Sequence, residues 1–395
     1  MTRTALLRGQ LVWVLALLCL AAVIQNASAE TLSRAAPNAL PEALPVTLPQ
    51  APQLGLRRYI LYEASSAQPL AGHDTQSRLT PRELILPLYA YVVFSKLKSN
   101  VLQLDTPVPL SREALQSGGT LAQNYKPGEK VTVGLLLTPA LKGQADARYA
   151  LAEHLGGDVA SFIKLLNDSA DFLGLGNTHL SELSGEGESY STVADLGRLA
   201  VVLTNAHPGY FERYFKADDQ GLPHFILSHS REGSLLGFRQ NRRRLLAVVI
   251  GDEPQQRLQA GKKLLRWGEQ AWRQITPFRA GEVLDTLRVW KGSANTLRVG
   301  LAQDFSFVIP QTGLYNLDYR YTPPPLNVAP MRLEEVVGVL RVYLNEQILT
   351  SIPLAALDPV PLANPLLRWV DTWRLRWFPP KALLERNLSS DTRAN

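Results

Sequence analysis

Apolar and polar positions change texture three times along the 395 residues. Leu11–Ile24 is one unbroken apolar run, shorter than the ~20 residues that a bilayer span needs. From there to about residue 55 no period survives, and prolines punctuate the chain. From Arg58 onward, strand-like and helix-like periods alternate. Arg58–Tyr62 reads as a strand and Pro69–His73 as its return, which together predict a hairpin. Thr80–Val93 (TPRELILPLYAYVV) is apolar on nearly all sides, the pattern of a buried central helix. Thr80 suits its N-cap and Pro81 its first helical position. Glu83, three residues after Thr80, completes a capping box, and Pro87 predicts a bend. Pro127-Gly128 builds a turn within Asn124–Glu129. Val131–Leu141, Asp146–Leu155, Asp158–Leu173 and Ser191–Thr204 carry helical periodicity, and Leu173–Leu180 reads as a helix end running into a loop. Phe225–His229, Ser234–Arg239 and Arg244–Gly251 predict three antiparallel strands. Gln256–Gln274 predicts a long helix with Leu258, Leu264, Leu265 and Trp267 inward.

From Thr276 helical periodicity vanishes. Short strands alternate with turns at Glu282–Val289, Thr296–Val299, Phe305–Ile309, Tyr315–Tyr321, Val336–Leu344 and Gln347–Pro353, with Pro323–Pro325 separating two of them. That is the texture of a small β domain. The last periodic segment is Asn364–Phe378. Asn364 suits a cap, Pro365 the first helical position, and Leu366, Trp369, Val370, Trp373 and Trp377 share one face. Three Trp and three Arg on so short a helix predict an in-plane membrane anchor; a helix packed on its own β domain is the other reading. The resulting division is a leader at 1–29, a proline-rich linker at 30–55, an α/β domain at 56–275, a β domain at 276–362, an amphipathic helix at 363–380 and a polar tail at 381–395.

The ends change the picture. Arg3 and Arg8 precede the apolar run and Ala27-Ser28-Ala29 follows it, which makes residues 1–29 an export signal cut before Glu30. Leu18 before Cys19 disfavours a lipoprotein signal. Cys19 is the one cysteine, so the exported chain has no disulfide, thiol nucleophile or thiolate metal site. Losing Arg3 and Arg8 takes the formal charge from +6 to +4. That mild excess is spread along the chain and predicts no nucleic-acid partner. Pro37, Pro41, Pro45, Pro49 and Pro52 give the linker an extended, polyproline-like character.

Several segments then resemble the serine D-alanyl-D-alanine carboxypeptidases, the low-molecular-mass penicillin-binding proteins. RYILYEASSAQPLAGHD (58–74) looks like the opening hairpin of that family. YKPGEKVTVGLLLTPAL (125–141) resembles the segment before its second motif, LGLGNTHL (173–180) its Asn-Thr-His turn, and YSTVADLGRLA (190–200) the helix that follows. RRLLAVVIG (243–251) and KKLLRWG (262–268) match its last core strand and helix. VWKG (289–292) and LRVGLAQDFSFVIPQ (297–311) follow its β domain, and the terminal amphipathic helix also fits. The resemblance implies an α/β penicillin-binding/β-lactamase-like transpeptidase domain, then a small all-β domain and a C-terminal amphipathic helix.

It also implies three motifs. In the family a serine of S-x-x-K attacks the D-Ala-D-Ala carbonyl and the lysine helps move the proton. An S-x-N extends the relay, and K-T-G on a strand binds the substrate carboxylate and lines the oxyanion site. Here the serine position falls on Glu83 and the lysine position on Leu86. The S-x-N position falls on Gly143-Gln144-Ala145. The K-T-G position falls on Pro223-His224-Phe225, or on Phe225-Ile226-Leu227 with a two-residue gap. Neither K-T-G nor K-S-G occurs anywhere. Ser95-Lys96-Leu97-Lys98 spells S-x-x-K, but about 18 Å along a helix from the motif position. Ser293-Ala294-Asn295 spells S-x-N in a β-domain turn. Glu83, Asp146, His224 and His229 are the remaining polar candidates, and none forms a metal or nucleophile-elbow motif.

The sequence thus predicts a non-catalytic relative of the carboxypeptidases, without metal or cofactor. It is expected in the periplasm, peripheral on the inner membrane through its C-terminal helix. Its expected partner is a peptidoglycan stem peptide or an envelope protein. The alternative is an active serine-type D-Ala-D-Ala carboxypeptidase acting on pentapeptides through a displaced nucleophile such as Ser95. A different hydrolase using Glu83 is a third.

Overall fold

The computed structural model describes residues 49–215, 223–240, 243–311, 316–344, 346–378, 380 and 386–388. The expected leader, most of the linker and most of the polar tail lie outside the described residues. What is described of the linker is docked. Ala51 and Leu54 pack on a buried cluster that includes Leu264 and Trp272. The Gln53 carbonyl accepts a hydrogen bond from Lys263 Nζ (3.0 Å).

Strands β1 (Arg58–Glu63) and β2 (Gln68–His73) form the expected hairpin. The helix expected from a Thr80 cap starts later. Arg82 takes a left-handed backbone (φ 49°), and its N–H donates to the Gly185 carbonyl (3.0 Å). The chain therefore makes one 3-10 turn, Arg82–Ile85, with no side-chain cap. Helix α1 (Leu86–Lys98) follows, and Pro87 sits in its first turn, where a missing N–H costs nothing. The capping box is thus not formed, and the bend expected at Pro87 is a break just before it.

Strand β3 (Pro107–Pro109), helix α2 (Arg112–Gln116) and strand β4 (Lys130–Thr132) lead to helix α3 (Val133–Leu141). Helices α4 (Ala145–Gly156) and α5 (Val159–Phe172) come next, then α6 (Val193–Ala206) and α7 (Pro208–Tyr214). Thr132, Asp158 and Thr192 cap α3, α5 and α6 by accepting from the N–H three residues on. Strands β5 (Phe225–His229), β6 (Gly233–Gln240) and β7 (Arg243–Ile250) precede helix α8 (Pro254–Ala271).

These strands form one antiparallel sheet in the order β2-β1-β7-β6-β5. Successive β1 side chains show that both faces are covered. Ile60 and Tyr62 abut Gly197 of α6, while Leu61 abuts Gly268 of α8. Leu245, Ala247 and Val249 join Leu264 and Leu265 on the α8 side. Helix α8 stops at Ala271, three residues short of expectation. Arg243 donates to the carbonyls of Gly268 (2.6 Å), Glu269 (3.1 Å) and Trp272 (2.9 Å). It thereby takes up acceptors the last turn leaves free, and the chain departs as strand β8 (Trp272–Phe278).

The β region contains β9 (Val283–Arg288), β10 (Thr296–Gly300), β11 (Phe305–Pro310), β12 (Leu317–Tyr321), β13 (Val336–Leu344) and β14 (Gln347–Ala356). Strand β8 pairs with β11, and the main sheet runs β15 (Arg386–Asn387)-β12-β13-β14-β10-β9. Leu297, Phe307, Leu340, Val342 and Leu354 are at the centre of its core. Strand β15 (Arg386–Asn387) lies within the stretch expected to be a polar tail. It pairs with β12, and Arg386 meets Asp285 at 2.5 Å.

Helix α9 (Pro365–Trp377) is capped by Asn364 and has no buried residue. Its Asp371 accepts from the Lys291 N–H (2.7 Å). Leu366, Trp369, Trp373 and Trp377 stand more than half exposed, and Val370 is half-buried. The indole face therefore does not pack on the β domain. Among the described residues no helix is long and apolar enough to cross a membrane.

Covered sheet faces give a direct test by urea denaturation. A Cβ on Gly268 would meet Leu61 at 2.6 Å, whereas one on Gly209 of α7 meets nothing within 4 Å. Gly268→Ala is expected to lose about 1–3 kcal/mol through overpacking. Gly209→Ala is expected to be neutral or to gain up to about 1 kcal/mol. Equal effects would disprove the packing of α8 on β1.

Candidate functional site

Five elements converge on a cavity of about 1000 Å³. The 3-10 turn and the start of α1 supply Glu83 and Leu86. The end of α3 supplies Thr138 and Leu141, and Lys142 and Gly143 follow it. Strand β5 supplies Ile226, Leu227, Ser228 and His229. Arg213, Tyr214 and Phe215 close it from α7. Gly143 adopts φ 88°, which side chains resist. A Cβ there would lie 3.9 Å from Leu86 Cδ1 and 4.0 Å from Glu83 Cγ. The positions read as the serine, the lysine and the first residue of S-x-N thus come together in space. Ala145 begins α4 and does not line the cavity.

Pro223, His224 and Phe225 do not line it either. His224 lies against the Phe238 ring at 4.7 Å, and its Nδ1 accepts from the Arg239 N–H (3.1 Å). Phe225 is buried against Phe211. The cavity-facing residues of β5 start at Ile226, and the register shifts between Ile226 and Ser228. The gapped count, Phe225-Ile226-Leu227, thus has Ile226 and Leu227 on the wall but not Phe225, and Ser228 and His229 beyond the bulge line it as well.

The floor of the cavity has an unusual charge arrangement. Leu86 is hydrocarbon and buried. The Glu83 side chain has no hydrogen bond among the described residues and is half-buried. Arg148 of α4 is 6% exposed, and its Nε and Nη1 have no partner. Burial lowers the pKa of this guanidinium, while the charge of Glu83, with smaller help from Tyr89 and Tyr149, raises it. Burial also pushes the Tyr89 phenol far above its usual range, and its hydroxyl is unpartnered. A lone arginine three residues before Leu151, on the buried side of α4, was a readable signal.

His229 is the histidine of the cavity wall. Its Nδ1 lies 2.8 Å from Ser234 Oγ. Partial burial and then Arg257 lower its pKa, and Glu83 raises it. The other polar candidates have structural tasks. Asp146 is fully buried and accepts from the N–H groups of Leu121 (2.7 Å) and Ala147 (2.7 Å). Ser95 does not line the cavity. Its hydroxyl donates to the Tyr91 carbonyl (2.8 Å) and lies 3.0 Å from His207 Nε2. A second S-x-x-K, Ser161–Lys164, lies on α5, where Lys164 pairs with Asp168 at 2.7 Å. Among the described residues no three His, Cys, Asp or Glu side chains group as a metal site would require.

Comparison with known proteins agrees with this architecture. The family model described as D-alanyl-D-alanine carboxypeptidase matches residues 46–221. That of the penicillin-binding protein 5 C-terminal domain matches residues 272–361. These matches support a relationship with the D-alanyl-D-alanine carboxypeptidase family. It is 28% identical to D-alanyl-D-alanine carboxypeptidase DacC of Escherichia coli, over 79% of this chain and 86% of that protein. It is 24% identical to DacA of the same organism, over 83% and 90%. Penicillin binding protein 5 of Haemophilus influenzae shares the fold with a TM-score of 0.65 at 21% identity, over 79% of this chain and 99% of that one. Penicillin binding protein 6B of Escherichia coli has a TM-score of 0.59 at 20% identity, over 80% and 99%. Within this family, Glu83, Leu86 and Gly143 stand at the positions that the resemblance assigns to motif residues.

The unpartnered guanidinium makes a second prediction. Replacing a buried ion pair by apolar side chains of similar volume is often neutral or stabilising by about 1–4 kcal/mol, whereas removing one partner alone is destabilising. Arg148→Met combined with Glu83→Leu is expected to leave the melting temperature unchanged or raised in a calorimetric scan. A marked drop would show that the two charges together are net stabilising.

Proposed function

We propose that this carboxypeptidase-family chain is non-catalytic and that its cleft binds peptidoglycan stem peptide without forming an acyl-enzyme. The observation that carries the reading is the pairing at the cavity floor. A carboxylate and a leucine occupy the positions where acyl transfer requires a hydroxyl beside an amine. Lysine at position 86 would supply a proton acceptor; leucine supplies none. A cavity of about 1000 Å³ leaves room for a peptide. Its walls combine Leu104, Leu141, Tyr214 and Phe215 with a few polar groups, the usual make-up of a ligand site. No observation favours Ser95 as a displaced nucleophile, since it is engaged with Tyr91 and His207 away from the cavity.

The site of action is the periplasm, after removal of residues 1–29, with the chain held at the inner-membrane surface by α9. Support comes from the exposed indole face, which no part of the described chain covers. Arg368, Arg374 and Arg376 suit an anionic lipid surface. An envelope protein docking on the β region is the second partner reading, and the sacculus experiment below separates the two.

Incubation with a fluorescent penicillin, followed by denaturing electrophoresis, is expected to show no covalent label. Labelling that maps to a serine would overturn the non-catalytic reading. Intact sacculi are expected to retain the protein, and free stem peptide to release it; failure to bind sacculi would remove the ligand assignment.

The anchor is tested separately by membrane fractionation. Protein truncated before Asn364 is expected to leave the membrane fraction, and truncated protein that stays there would remove α9 as the tether.

A further inference from the structure

The residue that joins α6 to α7 is a buried histidine. His207 ends α6 and begins α7, and it is 5% exposed. Its carbonyl accepts from the Phe211 N–H (2.8 Å), and the Phe211 carbonyl accepts from the Phe215 N–H (2.9 Å). Its ring stands edge-on to Tyr91 (5.2 Å) and Phe94 (6.0 Å) of α1. Nε2 lies 3.0 Å from Ser95 Oγ, whose proton goes to the Tyr91 carbonyl (2.8 Å). Nε2–H therefore donates to Ser95, and Nδ1 keeps its lone pair. Nδ1 is buried without a partner. The neutral ring thus leaves one lone pair unmet. An imidazolium would put a second N–H and a charge there, with no acceptor in the packed structure.

What His207 holds in place is a wall of the cavity. Helix α7 has seven residues, too few to persist without tertiary contacts. Its Tyr210 and Tyr214 stack on Phe94 (5.1 and 5.7 Å), the ring that His207 also meets. Its far end carries Arg213, Tyr214 and Phe215 into the cavity lining. The charges around His207 do not compensate an imidazolium. Lys98 of α1, which donates to the Ala206 carbonyl (3.3 Å), acts on the ring with the same sign. Arg244 of β7 reaches the Thr204 carbonyl (3.1 Å), a further cation at this end of α6. From Leu199 to Ala206, α6 carries no charged residue. On α7, Glu212 is turned to Arg239 (3.2 Å) and Arg213 to the cavity. Tyr91, Tyr210 and Tyr214 are the other titratable side chains of the cluster, and phenols titrate well above histidine.

We propose that His207 is a pH-sensitive latch on the cleft. Neutral, it pins α7 to α1 and closes the cavity wall; protonated, it releases α7 and opens the wall that Arg213, Tyr214 and Phe215 form. The latch acts on the wall, whatever ligand the cleft takes. Burial, and after it Lys98, lowers the histidine pKa in the packed structure. Freed from that packing, the ring takes a proton more readily. The closed arrangement therefore has its full stability above the ordinary histidine range and loses it as the pH falls through that range. Ser95 and Lys98, which spell S-x-x-K outside the cavity, serve this latch: one accepts from the ring and the other opposes its charging.

The test is amide hydrogen exchange on the full exported chain, corrected for the intrinsic pH dependence of exchange. Protection of the Phe211 and Phe215 amides is expected to fall severalfold from about pH 8 to about pH 5, the span over which histidine changes charge. Amides of β1 and β7 are expected to keep theirs. His207→Gln keeps a neutral donor for Ser95 and is expected to give α7 a flat profile. In unsubstituted protein the His207 imidazole, followed by its nitrogen chemical shifts, is expected to titrate below free histidine. Lys98→Gln removes the opposing cation and is expected to move that titration upward and to shrink the fall in protection. Should His207→Gln fail to pack α7, seen as low protection at both pH values, the titration and Lys98→Gln decide. Protection of α7 that is independent of pH in unsubstituted protein overturns the latch. So does a fall undiminished in packed His207→Gln or in Lys98→Gln, or a His207 that titrates at or above free histidine.

Discussion

A cation buried under the cleft floor constrains what the rest of the site can be. Arg148 sits in α4 with two of its nitrogens unpartnered, and the nearest compensating charge is Glu83. In a low-dielectric interior an uncompensated charge is costly, so the carboxylate and the guanidinium are linked even without a direct hydrogen bond. That linkage ties α4 to the 3-10 turn. The same turn is fixed from the other side, because the Arg82 N–H reaches Gly185 and the Arg82 guanidinium reaches Glu186 at 2.6 Å. A carboxylate in this position is held by its surroundings and sits beside Leu86, which can neither give nor take a proton.

The walls around this floor inherit their rigidity from the antiparallel sheet. With α6 on one face and α8 on the other, the strands are buried on both sides, as parallel sheets usually are. Strand β5 is the exception. It lies at the sheet edge next to the cavity, and its register slips between Ile226 and Ser228. An edge strand with a bulge can turn polar groups toward a cleft without disturbing the core. Arg257 secures it from behind by joining the β5–β6 turn to the end of β7. One fully buried arginine therefore serves both the fold and the orientation of His229.

At the other end of the chain the β region presents α9 with its indoles outward. The helix is tethered before and within its first turns, where Ala363 N–H meets the Lys291 carbonyl and Lys291 N–H meets Asp371. After the helix, Arg386–Asn387 return to the edge of the same sheet. An amphipathic helix tethered at Ala363 and Asp371 presents its apolar side in one direction, which suits a flat surface.

Much of this was legible in the chain itself, because periodicity is a local property. The helical stretches at 158–173 and 191–204, the β1–β2 hairpin, the three late strands and the change to a β texture after Thr276 all follow from short-range pattern. So does the one-sided apolar face of α9. The positions of Glu83, Leu86 and Gly143 came from linear order, and the fold set Gly143 where an added Cβ would lie about 4 Å from both other side chains. What order along the chain could not supply was anything set by contacts between distant segments. Gly185 displaced the start of α1, and Arg243 ended α8 early. Strand β5 put Ile226–His229 on the cavity wall, which the ungapped count at Pro223–Phe225 missed and the gapped count at Phe225–Leu227 met only in part. The pairing of Arg148 with Glu83, and of His229 with Ser234 and Arg257, joins residues far apart in sequence, and electrostatic neighbours of that kind exist only once the chain has folded.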